Sequence, residues 1–263
     1  MGPKTFQTIE VERDGRVGRI WLARPDVRNA FNAVMIGELR EAFGAFAADD
    51  AVRIIVLSGR GTAFSAGADL AWMKEIIRFS HEQNLRESLD LAECLHDVYS
   101  VPKPTVARVN GPAIGGGTGF VSACDLAVAS TEARFGLSEV KIGVVPAAIS
   151  PYVVRRIGES RARQYFLTGE RFDAQRAAEI GLVNLAVEPG DLDARVGEIV
   201  SSLLSSGPEA LAKTKDLLAR IPGMDFAEAK RYTAEMIAGL RVSAEAQEGM
   251  AAFLEKRRPS WSE

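Results

Sequence analysis

Cysteine and histidine are scarce in this chain, with two of each among 263 residues. Cys94 and Cys124 sit in apolar surroundings; they make no disulfide framework and show no metal-ligand spacing. His81 and His96 fall in a polar helical stretch without the carboxylate–histidine spacing of a zinc motif, so no metal is expected. No uninterrupted apolar run is long enough to span a bilayer, which argues against a membrane partner. Excess charge is missing too. The formal net charge is −3 and the sequence pI about 5.7, so the electrostatic footprint of a nucleic-acid-binding protein is absent. Basic clusters at Arg155–Arg156 and Lys256–Arg257–Arg258 read as solvated surface or as contacts for an anion. The first residues, MGPKTFQTIEVERDG, lack the apolar stretch of a signal peptide and the acid-poor character of a transit peptide. Met1-Gly2 is not followed by the Ser or Thr of a myristoylation signal, because position six is Phe6. A cytoplasmic protein is the expectation.

What is present is the composition of a globular enzyme-sized chain, 47% hydrophobic and 25% charged, long enough to bury a sizeable core. Val17–Leu22, Arg53–Leu57, Thr105–Val109 and Asp125–Ala129 read as short apolar strands. Ala33–Ala48 carries Met35, Ile36, Leu39, Phe43 and Phe46 at helical spacing, and Glu82–Tyr99 is a long amphipathic helix stopped before Pro102 and Pro104. Strands alternating with helices predict an α/β fold. From about Leu192 only helical patterns remain: Leu192–Leu204, Pro208–Arg220 and Phe226–Arg257. The chain therefore divides into a core over 1–191 and a helical region over 192–263, whose apolar faces suit packing on the core or on a neighbouring subunit.

Three stretches carry chemistry. Gly61-Thr62-Ala63-Phe64-Ser65-Ala66-Gly67-Ala68-Asp69-Leu70 follows a strand and leads into a helix. Its small residues let the backbone approach a ligand, and Asp69 suits a helix N-terminus. A tight strand-to-helix turn is the plainer alternative. Asn110-Gly111-Pro112-Ala113-Ile114-Gly115-Gly116-Gly117-Thr118-Gly119-Phe120 also leads from strand to helix. Its glycines weaken a helix by roughly 1 kcal/mol each against alanine, and leave backbone N–H groups unhindered at a positive helix end. It is neither a dinucleotide fingerprint nor a P-loop. In Phe135-Gly136-Leu137-Ser138-Glu139-Val140-Lys141-Ile142-Gly143-Val144-Val145-Pro146, Glu139 is a lone acid among apolar residues. Desolvation would raise its pKa and suit it to proton transfer; a capping role, or an ion pair with Lys141 or Arg134, is the alternative. Taken together, two turns presenting free N–H groups to one carbonyl oxygen, with a carboxylate nearby, describe enolate chemistry.

In order and separation, Phe64-Ser65-Ala66-Gly67-Ala68-Asp69-Leu70, Asn110-Gly111…Gly115-Gly116-Gly117 and Phe135-Gly136-Leu137-Ser138-Glu139 resemble the crotonase (enoyl-CoA hydratase/isomerase) superfamily. The resemblance runs from about Ile20 to Arg258. It implies a spiral of ββα units with a C-terminal helical trimerisation region, and a homotrimer or homohexamer. The N–H groups of Ala68 and Gly116 would form an oxyanion hole for the thioester oxygen, and Glu139 would be the acid/base. The Ala66 carbonyl would meet the adenine of coenzyme A, and Arg28 its phosphates. Asp69, Leu70 and Gly119 would lie near the acyl-CoA, and Phe253 and Lys256 would complete a neighbour's CoA site. Lys141, two residues past Glu139, reads as a cation near the same pocket that would favour acyl groups with a distal carboxylate, or as a solvent-facing or acid-paired side chain. No cofactor is implied, since coenzyme A is part of the substrate.

One departure is informative. Hydratases of this family carry two catalytic glutamates; Glu139 matches the second, but the first falls at Gly119. Ala147-Ala148-Ile149-Ser150-Pro151 also replaces the usual glycine-rich stretch after Pro146. This combination looks similar to bacterial hydratases of methylglutaconyl-CoA-like thioesters. The resemblance implies a hydro-lyase acting on a 2-enoyl-CoA. A Δ3,Δ2-enoyl-CoA isomerase, needing one carboxylate, is the enzymatic alternative. A CoA-thioester-binding protein without turnover is the non-enzymatic one.

Overall fold

The computed structural model describes residues 5–262. Met1–Lys4, including the Met1-Gly2 pair, and Glu263 lie outside the described residues. Ile9–Asp14 (β1) and Val17–Leu22 (β2) form an antiparallel hairpin, with Gly15 at a φ of 57° in its two-residue turn. Ile54–Gly59 (β3), Thr105–Val109 (β4), Leu126–Ser130 (β6) and Leu185–Val187 (β9) continue the sheet in parallel, in the order β1-β2-β3-β4-β6-β9. A second sheet, β5-β7-β8, joins Ala113–Ile114 (β5), Arg134–Gly136 (β7) and Arg171–Asp173 (β8).

Both faces of the large sheet are covered, which is why β3 reads as the unbroken apolar run Ile54-Ile55-Val56-Leu57. On one face, Ile20, Leu22, Ile55 and Leu57 pack with Met35, Ile36, Leu39, Phe43 and Phe46 of Ala33–Ala48 (α1). Cys94, Leu95 and Val98 of His81–Ser100 (α3) join the same cluster. On the other face, Val17, Ile54, Val56, Val106 and Val128 meet Leu192, Val196 and Val200 of Leu192–Leu204 (α7). The change of character at Leu192 is therefore the start of a helix that still covers the sheet. The remaining helices are Leu70–Ile76 (α2), Gly116–Ala123 (α4), Ser150–Thr168 (α5), Ala174–Glu179 (α6), Pro208–Arg220 (α8), Phe226–Arg241 (α9) and Ala244–Glu255 (α10).

The expected α/β architecture with a helical C-terminal region is what the chain adopts. One expectation changes: Phe226–Arg257 is two helices. α9 ends at Val242, and Ser243 starts α10 by accepting the Ala246 amide on its side chain. The basic clusters are largely internal partners. Arg156 donates to the carbonyls of Cys124 and Leu182, Arg155 to the Tyr99 hydroxyl, and Arg257 pairs with Glu248. Both cysteines are buried and free, and burial pushes the Cys124 thiol up to about 12, which makes it a poor nucleophile. No helix among the described residues is long and apolar enough to cross a membrane.

Candidate active site

The small sheet brings the three chemical stretches together. Ala113 and Ile114 of β5 pair with Phe135 and Gly136 of β7. Two isolated bridges extend this register, Ser65 to Ala113 and Phe31 to Ala68. Four segments distant in sequence thus lie side by side: the one around Phe31, the Ser65–Asp69 turn, the β5–α4 turn and the β7–Glu139 stretch.

Most backbone donors of the first turn are spent within the fold. Phe64 N and Ser65 N donate to Pro112 O, both at 3.0 Å. Ala66 N donates to Arg28 O and Asp69 N to Phe31 O, both at 2.9 Å. Gly67 N is 3.3 Å from Ser65 Oγ. The Ala68 amide alone in Phe64–Asp69 has no acceptor among the described residues. Asp69, which is buried, caps α2 through the Ala71 and Trp72 amides, and its other oxygen is 2.7 Å from an Arg24 nitrogen. Burial pushes the Asp69 carboxyl up, but the Arg24 hydrogen bond and the two amides outweigh it and hold the group below its ordinary value. Asp69 is a fixed anion.

The second turn also leaves donors open. Ile114 N donates to Ser65 O and Gly115 N to Gly136 O, and the first bond along α4 is Gly119 N to Gly115 O. The amides of Gly116, Gly117 and Thr118 therefore stand as open helix donors among the described residues, and the N-cap Gly115 offers no side chain to cap them. Gly115 has a φ of 54° and ψ of −121°, a conformation that favours glycine. A Cβ on Gly117 would lie 2.7 Å from Ser65 O, so small residues let the two turns run against each other.

Glu139 opens a 3₁₀ turn after β7. Its Oε2 is buried without a hydrogen-bond partner, and its Oε1 lies 3.0 Å from where a Cβ on Gly115 would be. The ion-pair alternative is not what forms: Arg134 donates to the carbonyls of Thr131 and Ala133, and the exposed Lys141 lays its stem over Gly169. Burial pushes the Glu139 carboxyl up, opposed by a bond from its own backbone. Two carboxyls with opposite shifts divide their roles: the lowered Asp69 holds structure, and the raised Glu139 suits proton transfer.

Gly119 lies one turn beyond Gly115 on the same face of α4. A Cβ there would sit 2.1 Å from Ile149 Cγ2 and 3.7 Å from Leu95 Cδ2. Ile149 is buried and fills the space that a side chain at position 119 would need.

Of the other residues singled out in the sequence, Arg28 is exposed with a φ of 53° beside the Ala66 amide. Ala66 is half-buried and Leu70 exposed at the start of α2. Phe253 and Lys256 are exposed at the end of α10. Phe253 there lines an apolar cavity of about 540 Å³ with Ala210, Ile237, Leu240 and Met250, apart from the small sheet. Sequence reasoning missed Arg24 and Asn29, and the packing of Ile149 on Gly119. Asn29, fully buried at a φ of 55°, donates to Arg60 O and Ala63 O and accepts from Arg24 N. The tolerance of asparagine for positive φ was the available signal.

Residues 12–263 match the family model for enoyl-CoA hydratase/isomerase. A Thermus thermophilus protein with an enoyl-CoA hydratase name is 42% identical over 251 residues, covering 95% of this chain and 99% of that protein. A short-chain-enoyl-CoA hydratase of Clostridium acetobutylicum is 31% identical over 96% of this chain and 97% of that protein. The crystal structure of an enoyl-CoA hydratase from Shewanella pealeana superimposes with a TM-score of 0.95 at 40% identity, covering 98% of this chain and 97% of that one. The chain belongs to the enoyl-CoA hydratase/isomerase family of the crotonase superfamily.

Proposed function

We propose that this protein is a hydro-lyase that adds water reversibly to a 2-enoyl-CoA thioester. The observation that carries the reading is the buried, unpartnered oxygen of Glu139 beside the uncapped start of α4. The Ala68 and Gly116 amides hold the thioester oxygen as negative charge develops on it. Water adds its oxygen at C3, protonated Glu139 delivers a proton to C2, and the proton released by the water restores the Glu139 carboxyl. In the reverse direction the same carboxylate takes the C2 proton. The finer substrate reading is a branched or carboxylated enoyl chain of the methylglutaconyl type, suggested by Gly119 together with Ile149-Ser150-Pro151. A second reading, Δ3,Δ2-enoyl-CoA isomerase, is favoured by the Ile149 side chain standing where a second carboxylate would be.

Assays on crotonyl-, 3-enoyl- and methylglutaconyl-CoA in ¹⁸O-labelled water test the proposal. Label in a 3-hydroxyacyl product supports it. Double-bond migration without label selects the isomerase, and binding without turnover on any thioester selects the non-catalytic reading.

The packing at position 119 makes a separate prediction. Gly119→Glu must displace Ile149, and overpacking of this kind costs about 1–3 kcal/mol. The single variant is expected to melt several degrees below wild type, and Gly119→Glu/Ile149→Gly to regain part of that loss. Additive effects in the thermal melts would refute the coupling.

We also propose a homotrimer or homohexamer whose α10 residues Phe253 and Lys256 complete a neighbour's CoA site. Sedimentation at micromolar protein is expected to show a trimer or hexamer; a stable, active monomer would rule this out.

A further inference from the structure

The reading of Ala68 as an oxyanion donor leaves open what aims and strengthens that donor. Planar trans peptides link the answer into a chain. The peptide that carries the Ala68 N–H also carries the Gly67 carbonyl, pointing the opposite way. Gly67 O accepts from Phe31 N at 2.9 Å. The peptide that carries Phe31 N–H carries the Ala30 carbonyl, and Ala30 O accepts from Arg24 Nη1 at 2.6 Å. The guanidinium is locked at the far end by its ion pair with Asp69. The Asp69 amide, on the other side of Ala68, donates to Phe31 O at 2.9 Å.

We propose that Arg24 is a positioning residue, the charged end of a hydrogen-bonded relay that runs Arg24, Ala30–Phe31, Gly67–Ala68 and ends at the thioester oxygen. The inference rests on the oxyanion-hole reading above. Two effects act along the relay. Each bond fixes the plane of the next peptide, so the direction of the Ala68 N–H is set from Arg24. Each bond also polarises the next, since donation to a carbonyl strengthens the N–H of the same peptide, and a charged donor at the origin has the largest effect. A displacement of about 1 Å in such a donor costs on the order of 10²-fold in rate.

Butyryl-CoA labelled with ¹³C at the thioester carbonyl provides a probe that needs no turnover. Isotope-edited infrared difference spectra of the bound ligand are expected to show a lowered carbonyl stretch in wild type. Arg24→Met should lose part of that lowering, with kcat falling about 10- to 100-fold and KM changing by no more than about threefold. Arg24→Gln, which keeps a neutral donor on a shorter side chain, should fall between the two. It also serves as the deciding variant if Arg24→Met does not fold. A folded Arg24→Met or Arg24→Gln with a wild-type stretch and wild-type kcat, even at lowered stability, overturns the relay and makes Arg24 structural only. An unshifted carbonyl in wild type overturns the oxyanion-hole reading itself, and the relay with it.

Discussion

Glu139→Gln is expected to lower turnover about 10²–10⁴-fold, the worth of general acid–base catalysis, while leaving binding of a saturated CoA thioester near wild type. Glutamine keeps the shape beside Gly115 but removes the proton-carrying oxygen. Turnover and binding measured on the same preparation separate loss of chemistry from loss of the site; a variant turning over near the wild-type rate would remove Glu139 from the mechanism. The same substitution has a signature in stability. The folded Glu139 carboxyl sits above its ordinary value of 4.5 because burial penalises the charged form. Between the unfolded and folded values the native state holds the proton more tightly, so wild-type stability falls as pH rises through that window and stays lower above it. Glu139→Gln has no such loss. It should melt higher than wild type at neutral pH, with the difference shrinking as pH falls towards the ordinary glutamate value. Equal melting points at neutral pH would mean that the carboxylate is better solvated than its buried oxygen implies.

Ala68→Pro is expected to cost about 10²–10³-fold in kcat, the usual consequence of deleting one oxyanion donor. Proline removes the single N–H in Phe64–Asp69 that has no acceptor among the described residues. The other amides of Phe64–Asp69 already serve Pro112, Arg28, Ser65 and Phe31, so none of them is free to replace it among the described residues. Because the turn is packed against β5, circular dichroism and sedimentation must first establish that fold and assembly survive. A well-folded variant with unchanged turnover would show that the thioester oxygen is held elsewhere, with the open amides of Gly116, Gly117 and Thr118 the remaining donors.

The large elements were legible because burial imposes period and length. β2, β4, α1, α7 and α8 have the bounds that their apolar spacing predicts. The small sheet was not, since strands of two or three residues such as β5, β7 and β8 are too short to carry a period. α5 was hidden by Pro151 near its start and by Gly158, whose φ of 77° interrupts the helix. At the site, the small-residue turns and Glu139 stood out locally. Arg24 could not, and Ile149 did so only as part of a departing stretch, because each matters through a distant partner: the Ala30 carbonyl and Asp69 for Arg24, the missing side chain of Gly119 for Ile149.

The main-chain origin of the candidate anion donors bears on how such a protein can diverge. An amide of Ala68 or Gly116 survives any substitution except proline, so inheritance preserves it as long as the local residues stay small. On the reading proposed above, reaction type then rests on Glu139 and on the packing of Ile149 against Gly119. A lineage can exchange those while the anion-holding frame passes on unaltered. Relatives with nearly superimposable backbones can therefore differ in which carbon gains or loses a proton.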